Sequence, residues 1–338
     1  MKRSVLSFLW CCVVVMASSV AMAQDIHLTQ YYTNQLNLNP ALGGMYDGEY
    51  RIVANYRNQW REINTPLTTT MIAGDKKFHF FSDEIDAGIL VIHDEFSDFG
   101  LTVNKILLSG SYKKMFRGHE LRGGLQLGIV FKNTDLKNQT FPSQWVYETG
   151  EFDQSVSNGE NQISESLVHF DMNLGVAWSK KFGKRTRLTG GFSIFHINRP
   201  KDTYFSTYKE RLQTRQIFHA DAEVRFGKIG IEPKLIMMWT TMSQNLIIGS
   251  NVKYHFPKSI VRNVYIGVVY RTRFGANQDA AAPVIGMGIN RFDIGFSYDV
   301  NVSDLSAYSD TKTTFEISLV YTAPMFSPKT LSIPCDRY

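Results

Sequence analysis

The sequence predicts an all-β chain, a transmembrane up-and-down antiparallel β-barrel of about 14 strands, and three observations carry that prediction. Apolar residues recur at every second position in runs too long for ordinary soluble strands. No apolar stretch of about 18 residues follows residue 23, so no transmembrane helix is available. The connections between the runs are sorted into short and long ones.

The alternation is clearest from Val168 to Trp178, where every even position is apolar. His169, Asp171, Asn173, Gly175 and Ala177 fill the odd positions. Period two is the signature of a strand with two unlike faces. A tilted crossing of the hydrocarbon core needs about 9–11 residues, against about 5–6 in a typical soluble strand. Leu125, Leu127, Ile129 and Phe131 repeat the pattern around Gly124, Gln126 and Gly128. Leu246, Ile248 and Val252 repeat it around Gly249, Asn251 and Lys253. Phe292, Ile294, Phe296 and Tyr298 do so around Asp293, Gly295 and Ser297, and Phe315, Ile317, Leu319 and Tyr321 close the series. Strands are expected near 49–60, 66–78, 84–93, 101–115, 119–132, 166–181, 185–197, 212–226, 229–241, 244–256, 260–274, 281–289, 292–299 and 313–323. An even number suits bacterial outer-membrane barrels.

Such barrels have short periplasmic turns and longer external loops. Phe116-Arg117-Gly118, Phe182-Gly183-Lys184, Gly227-Lys228 and Asn290-Arg291 are tight turns, and each follows an even-numbered strand. The long stretches 133–165, 198–211 and 300–312 follow odd-numbered ones, and Met242-Ser243 is the short exception. The long loops are therefore expected outside the cell, with both ends of the barrel chain on the periplasmic side.

The ends divide the rest. Lys2 and Arg3, an apolar run from Val5 to Met16, and Ala21-Met22-Ala23 read as a secretory signal over 1–23, cleaved before Gln24. Residues 24–48 are a periplasmic segment ahead of the first strand. Its Asn-Pro-Ala-x-Gly-Gly is turn chemistry, and the segment fills or caps the lumen or packs along the barrel floor. The barrel is 49–323, and 324–338 is a periplasmic tail broken by Pro324, Pro328 and Pro334. Aromatics make up 13% of the chain, with 23 Phe and 16 Tyr, which suits a barrel with rings at its rims. Cys11 and Cys12 leave with the signal, so Cys335 has no intramolecular partner. The 36 Lys and Arg nearly balance 31 Asp and Glu, which argues against a nucleic-acid partner.

Inward residues follow from the alternation. Arg51, Asn55 and Arg57 share the polar face of the first strand. Arg215, His219, Asp221, Glu223 and Arg225 share that of the eighth. Glu232, Lys234, Arg271, Arg273 and Glu316 join them from later strands. A Lys or Arg facing lipid at midplane costs roughly 2–4 kcal/mol, so these charges belong in the lumen. They are expected to form a wall-stiffening ion-pair network; a selective pore lined by them is the alternative. No catalytic residue is assigned, because the eight His are scattered and His219 with Asp221 is a chance-level spacing. His93, Asp94 and Glu95 alternate in direction on a strand end, so no metal is expected. No phosphate loop with its Lys is present, and no cofactor is expected.

In the external loops, Trp145, Tyr147 and Phe152 lie among polar and acidic residues, and Tyr204 and Phe205 lie beside Lys201, Lys209 and Arg211. Aromatics with Arg concentrate binding energy at interfaces, which makes these five aromatics candidates for partner contact. The competing roles are a girdle near strand ends and, for Trp145 and Tyr147, the loop's own fold.

Both ends of the chain resemble one family. Gln24-Asp25, Gln30-Tyr31 and Asn39-Pro40-Ala41 with Gly43 look like the opening of the PorP/SprF proteins. Tyr56-Arg57-Asn58-Gln59-Trp60 resembles their first-strand motif. Tyr298-Asp299 and Glu316 look like their closing hairpin, and Cys335 with Arg337 like their terminus, with Asp336 where Pro is usual. The resemblance implies an outer-membrane component of type IX secretion and gliding motility. Its implied partners are a secreted cell-surface cargo, such as an adhesin with a C-terminal sorting domain, other components of the secretion machinery, and outer-membrane lipid. A channel for small solutes is the competing function.

Overall fold

The computed structural model describes residues 28–59, 66–80, 83–96, 100–135, 140–153, 155–157, 165–204, 210–241, 243–273, 276–302 and 314–325. The side chains of Phe80, Arg273 and residues 276–279 are not among those described. The expected signal 1–23 and most of the tail 324–338 lie outside the described residues.

Fourteen strands close into one antiparallel barrel. In chain order they are β1 (Tyr50–Gln59), β2 (Leu67–Phe80), β3 (Asp83–Phe96), β4 (Leu101–Phe116) and β5 (His119–Asn133). A small hairpin follows inside the loop, β6 (Trp145–Val146) and β7 (Glu151–Phe152). The wall resumes with β8 (Ser166–Phe182), β9 (Thr186–Phe195), β10 (Arg215–Phe226), β11 (Ile229–Trp239) and β12 (Gln244–His255). It ends with β13 (Val261–Arg273), β14 (Ala276–Ile289), β15 (Phe292–Asn301) and β16 (Thr314–Thr322). Each wall strand pairs with the next, β5 meets β8, and β1 meets β16 to close the ring, with Arg57 opposite Glu316. Closure leaves no free strand edge among the wall strands, the condition a barrel meets in lipid.

The strand lengths follow from the period-two runs, and burial shows which face each run presents. Ile52, Ile72, Leu108, Val168 and Ile266 are exposed on the outer surface. Their neighbours Arg51, Met71, Leu107, His169 and Tyr265 are buried inside. Outward aromatics gather at the short-turn rim, where Tyr321 lies 6.0 Å from Tyr50 and 5.0 Å from Phe292. The turn between β4 and β5 carries positive φ at both Arg117 and Gly118, the geometry whose twist matches a two-residue hairpin.

Several strand bounds differ from the expected ones by up to three residues, among them the end of β3 and the start of β10, and the start of β14 differs by five. β9 stops at Phe195, because His196 turns left-handed at φ 58, which breaks extended backbone. β14 starts at Ala276 rather than near 281. Residues 276–280 show no apolar alternation, yet their backbone continues the ladder to β13 through two register shifts. Pairing, not side-chain pattern, makes that stretch a strand.

Candidate functional site: a lumen filled by the N-terminal segment

Residues 28–48 run inside the barrel as a strap. The upper end sits among residues near the long-loop ends of β1, β15 and β16. The Glu316 carboxylate accepts the N–H of Thr29 at 2.8 Å and that of Gln30 at 2.9 Å. Asp299 accepts the Thr29 hydroxyl at 2.8 Å. Arg57 pairs with Asp299 at 3.0 Å and with Glu316 at 3.2 Å, and Arg271 reaches Asp299 at 3.3 Å. Gln30 is held by Ser297 and Ser318. These groups are buried, and hydrogen bonds to ionised groups are the stronger kind.

Below this latch the strap descends. Asn34 and Thr33 bond Asn55, and Gln35 accepts from Arg51 at 2.6 Å. One helical turn, Gln35–Leu38, leads to Asn39, whose side chain accepts the Ala41 N–H at 2.9 Å. Pro40 opens a 3-10 turn, Pro40–Leu42, where its missing N–H costs nothing. The Asn39 amide also donates to the Val176 carbonyl at 3.0 Å and lies 3.1 Å from His219 Nε2.

The wall makes room for this turn with glycine. A Cβ on Gly124 would stand 2.3 Å from Ala41 N, and one on Gly175 would stand 1.9 Å from Asn39 Oδ1. Gly124 and Gly175 are direct partners across β5 and β8. The seat is therefore a shallow hollow where two neighbouring strands lack side chains. At the floor, Asp75 accepts the Gly44 N–H at 3.0 Å, and Arg122 donates to the Gly43 carbonyl at 2.8 Å. Arg51 and Asp75 pair at 2.8 Å, and Arg122 and Glu84 at 2.6 Å. Lys77 donates to the Tyr46 carbonyl. Burial raises the Tyr46 hydroxyl well above the ordinary tyrosine range.

Apolar packing fills what remains. Leu28 and Leu36 join Val53, Met71, Leu90 and Leu107. Tyr31, Leu38 and Leu42 join Ile217, Ile236, Ile247 and Val269. Each such side chain is worth roughly 1.5–3 kcal/mol on full burial. A cavity beside Leu38 and Met238 holds room for about one water. Lumenal leucines and isoleucines were missed in the sequence, as were Asp75 and the glycine seat.

The expected lumenal charges are spread over several groups. Arg51, Arg57, Arg271 and Glu316 lie in the pairs described above. Lys234 pairs with Glu232 at 3.0 Å and lies over the Tyr32 ring, and Glu232 also reaches Lys253 at 2.7 Å. Arg215 lies over the Phe195 ring. His219 is buried, whereas Asp221 and Glu223 are exposed and Arg225 contacts His255 at 2.9 Å. Arg273's side chain is outside the described set. Of the loop aromatics, Trp145 packs edge-on against Phe152 at 4.9 Å across the β6–β7 hairpin. Tyr147, in its turn, is 90% exposed. Burial beside Asp202 pushes the Tyr204 hydroxyl up to about 12. Phe205 lies outside the described residues. Hydrogen bonds from the Ser155 hydroxyl and N–H hold the Asp153 carboxyl below its ordinary value.

The family described as type IX secretion system membrane protein PorP/SprF matches residues 20–321. The chain belongs to the PorP/SprF family. Among solved structures, a Pseudomonas aeruginosa FadL homologue is similar at 11% identity and TM-score 0.52, over 84% of this chain and 92% of that one. The CymD monoaromatic hydrocarbon channel is similar at 9% identity and TM-score 0.50, over 86% and 93%. At those identities the likeness concerns the barrel fold. No curated protein matches the chain. With the fold, the family places this PorP/SprF chain in the outer membrane as a type IX secretion membrane component. Most of the described residues behind its PorP/SprF resemblance fall in the lumen. Gln30, Tyr31, Asn39, Pro40, Ala41 and Gly43 belong to the strap, and Arg57, Asp299 and Glu316 to its upper latch. Tyr56 and Tyr298 face outward, and Gln59 ends β1. Gln24, Asp25, Trp60, Cys335 and Arg337 lie outside the described residues.

Proposed function

We propose that this barrel helps secrete or anchor a large cell-surface cargo, such as an adhesin, at the outer face of a type IX secretion machine. The observation that carries the reading is the filled lumen. A barrel whose interior is packed with its own chain offers partners its two ends. The long loops then face the cargo, and the short-turn end faces periplasmic parts of the machinery. The apolar outer surface meets outer-membrane lipid, and the chain reaches that membrane by a cleaved signal over 1–23. The β6–β7 hairpin supports a loop-side contact, because Trp145 and Phe152 brace each other and leave Tyr147 free.

Deleting the gene should leave the cargo inside the cell or shed into the medium. Normal surface display in the deletion strain would refute the proposal. Tyr147→Ala should weaken cargo retention by about 1–2 kcal/mol, the scale of an interface aromatic. It should leave barrel stability within about 0.5 kcal/mol, as for an exposed surface change. Co-purification from mild detergent and a melting curve give the two readings.

A further inference from the structure

We infer that the lumen is a polypeptide-binding site, held here by residues 28–48, that takes another chain segment of the same chemistry once they are displaced. The wall addresses the strap through both its side chains and its backbone. Glu316 and Asp75 accept N–H groups of Thr29, Gln30 and Gly44. Gln126 and Ser193 donate to the carbonyls of Leu36 and Leu38, and Arg122 to that of Gly43. Any polypeptide carries these groups. Selectivity enters through the side chains of Thr29, Gln30, Thr33, Asn34 and Gln35, which the wall also bonds, and through the Gly124–Gly175 hollow, which admits an Asn-Pro-Ala turn and little that is bulkier.

The strap is also separable. The described residues 28–48 take no part in the barrel ladder, which closes from β1 to β16 without them. They join the wall through one connection at the floor, where Asp47 is exposed. Cutting there removes no wall pairing. This inference concerns the lumen and stands apart from the loop-side cargo contact, so loss of cargo display and loss of peptide exchange are independent readouts.

The test uses the full chain with a protease recognition sequence inserted after Asp47, folded in detergent and then cut. A fluorescent synthetic peptide of residues 28–48 should bind the cut barrel saturably, read by anisotropy. The same peptide with Asn39→Ala should bind about tenfold more weakly, the scale of one buried hydrogen-bonding side chain. Uncut protein should bind neither. Three results overturn the inference: a cut barrel that unfolds, a cut strap that never exchanges, or equal binding of a scrambled peptide. Should the insertion block folding, hydrogen exchange on the unmodified protein decides. Amides of residues 28–48 should exchange together and ahead of the wall ladder; exchange only with the wall would overturn the inference.

Discussion

Arg57→Ala should cost the barrel about 3–5 kcal/mol, the range for removing one partner of a buried ion pair. Arg57 sits between Asp299 and Glu316, and all three are buried. Without it two carboxylates face each other across β15 and β16. The remaining partners soften the loss. Asp299 keeps Arg271 at 3.3 Å, and Glu316 keeps the two strap N–H groups. The lower end of the range is therefore expected. Urea unfolding in detergent, with Glu316→Gln and the double variant, completes a cycle that isolates the pair. A single-variant loss under about 1 kcal/mol would mean that the upper latch is solvated rather than buried.

The second large effect contrasts two neighbouring glycines. Gly124→Ala places a methyl 2.3–2.6 Å from the backbone of Pro40 and Ala41, whereas a Cβ on Gly123 meets nothing within 4 Å. Neither the β5 wall nor the strap backbone yields as a flexible side chain would. Overpacking of this kind costs about 1–3 kcal/mol or more, and the Asn-Pro-Ala turn should leave its seat. In Gly124→Ala the strap should become open to proteolysis near Asp47 and Tyr46 while the wall resists. Gly123→Ala should behave as wild type. Equal protection in both variants would show that the turn does not depend on the hollow.

The wall was legible because alternation is a property of consecutive residues. Val168 to Trp178 announces β8 without knowledge of its neighbours. Where both faces of a strand are apolar the signal fades. Leu235-Ile236-Met237-Met238 reads as continuous apolar sequence, so nothing marked Ile236 and Met238 as lumenal. Their burial against Leu38 depends on the strap, which is distant in the chain. Asn39-Pro40-Ala41 was readable as a turn from its own chemistry. Its seat was not, because Gly124 and Gly175 become a hollow only when β5 and β8 pair in register. Their glycine identity at inward positions was visible, and the inward parity of Arg57 and Glu316 was too. That these two meet across the closing seam required the β1–β16 pairing. In the loop, Trp145 and Phe152 needed the left-handed Gly150 at the hairpin turn to come together.

The filled lumen is the center of this account, and single-channel recording in a planar bilayer tests it most directly. The intact protein should be silent across a wide range of voltage, because Leu28, Tyr31, Leu38 and Leu42 pack against the wall from β1 around to β14. A steady, large conductance from the intact chain would contradict it and would favour the competing solute-channel reading.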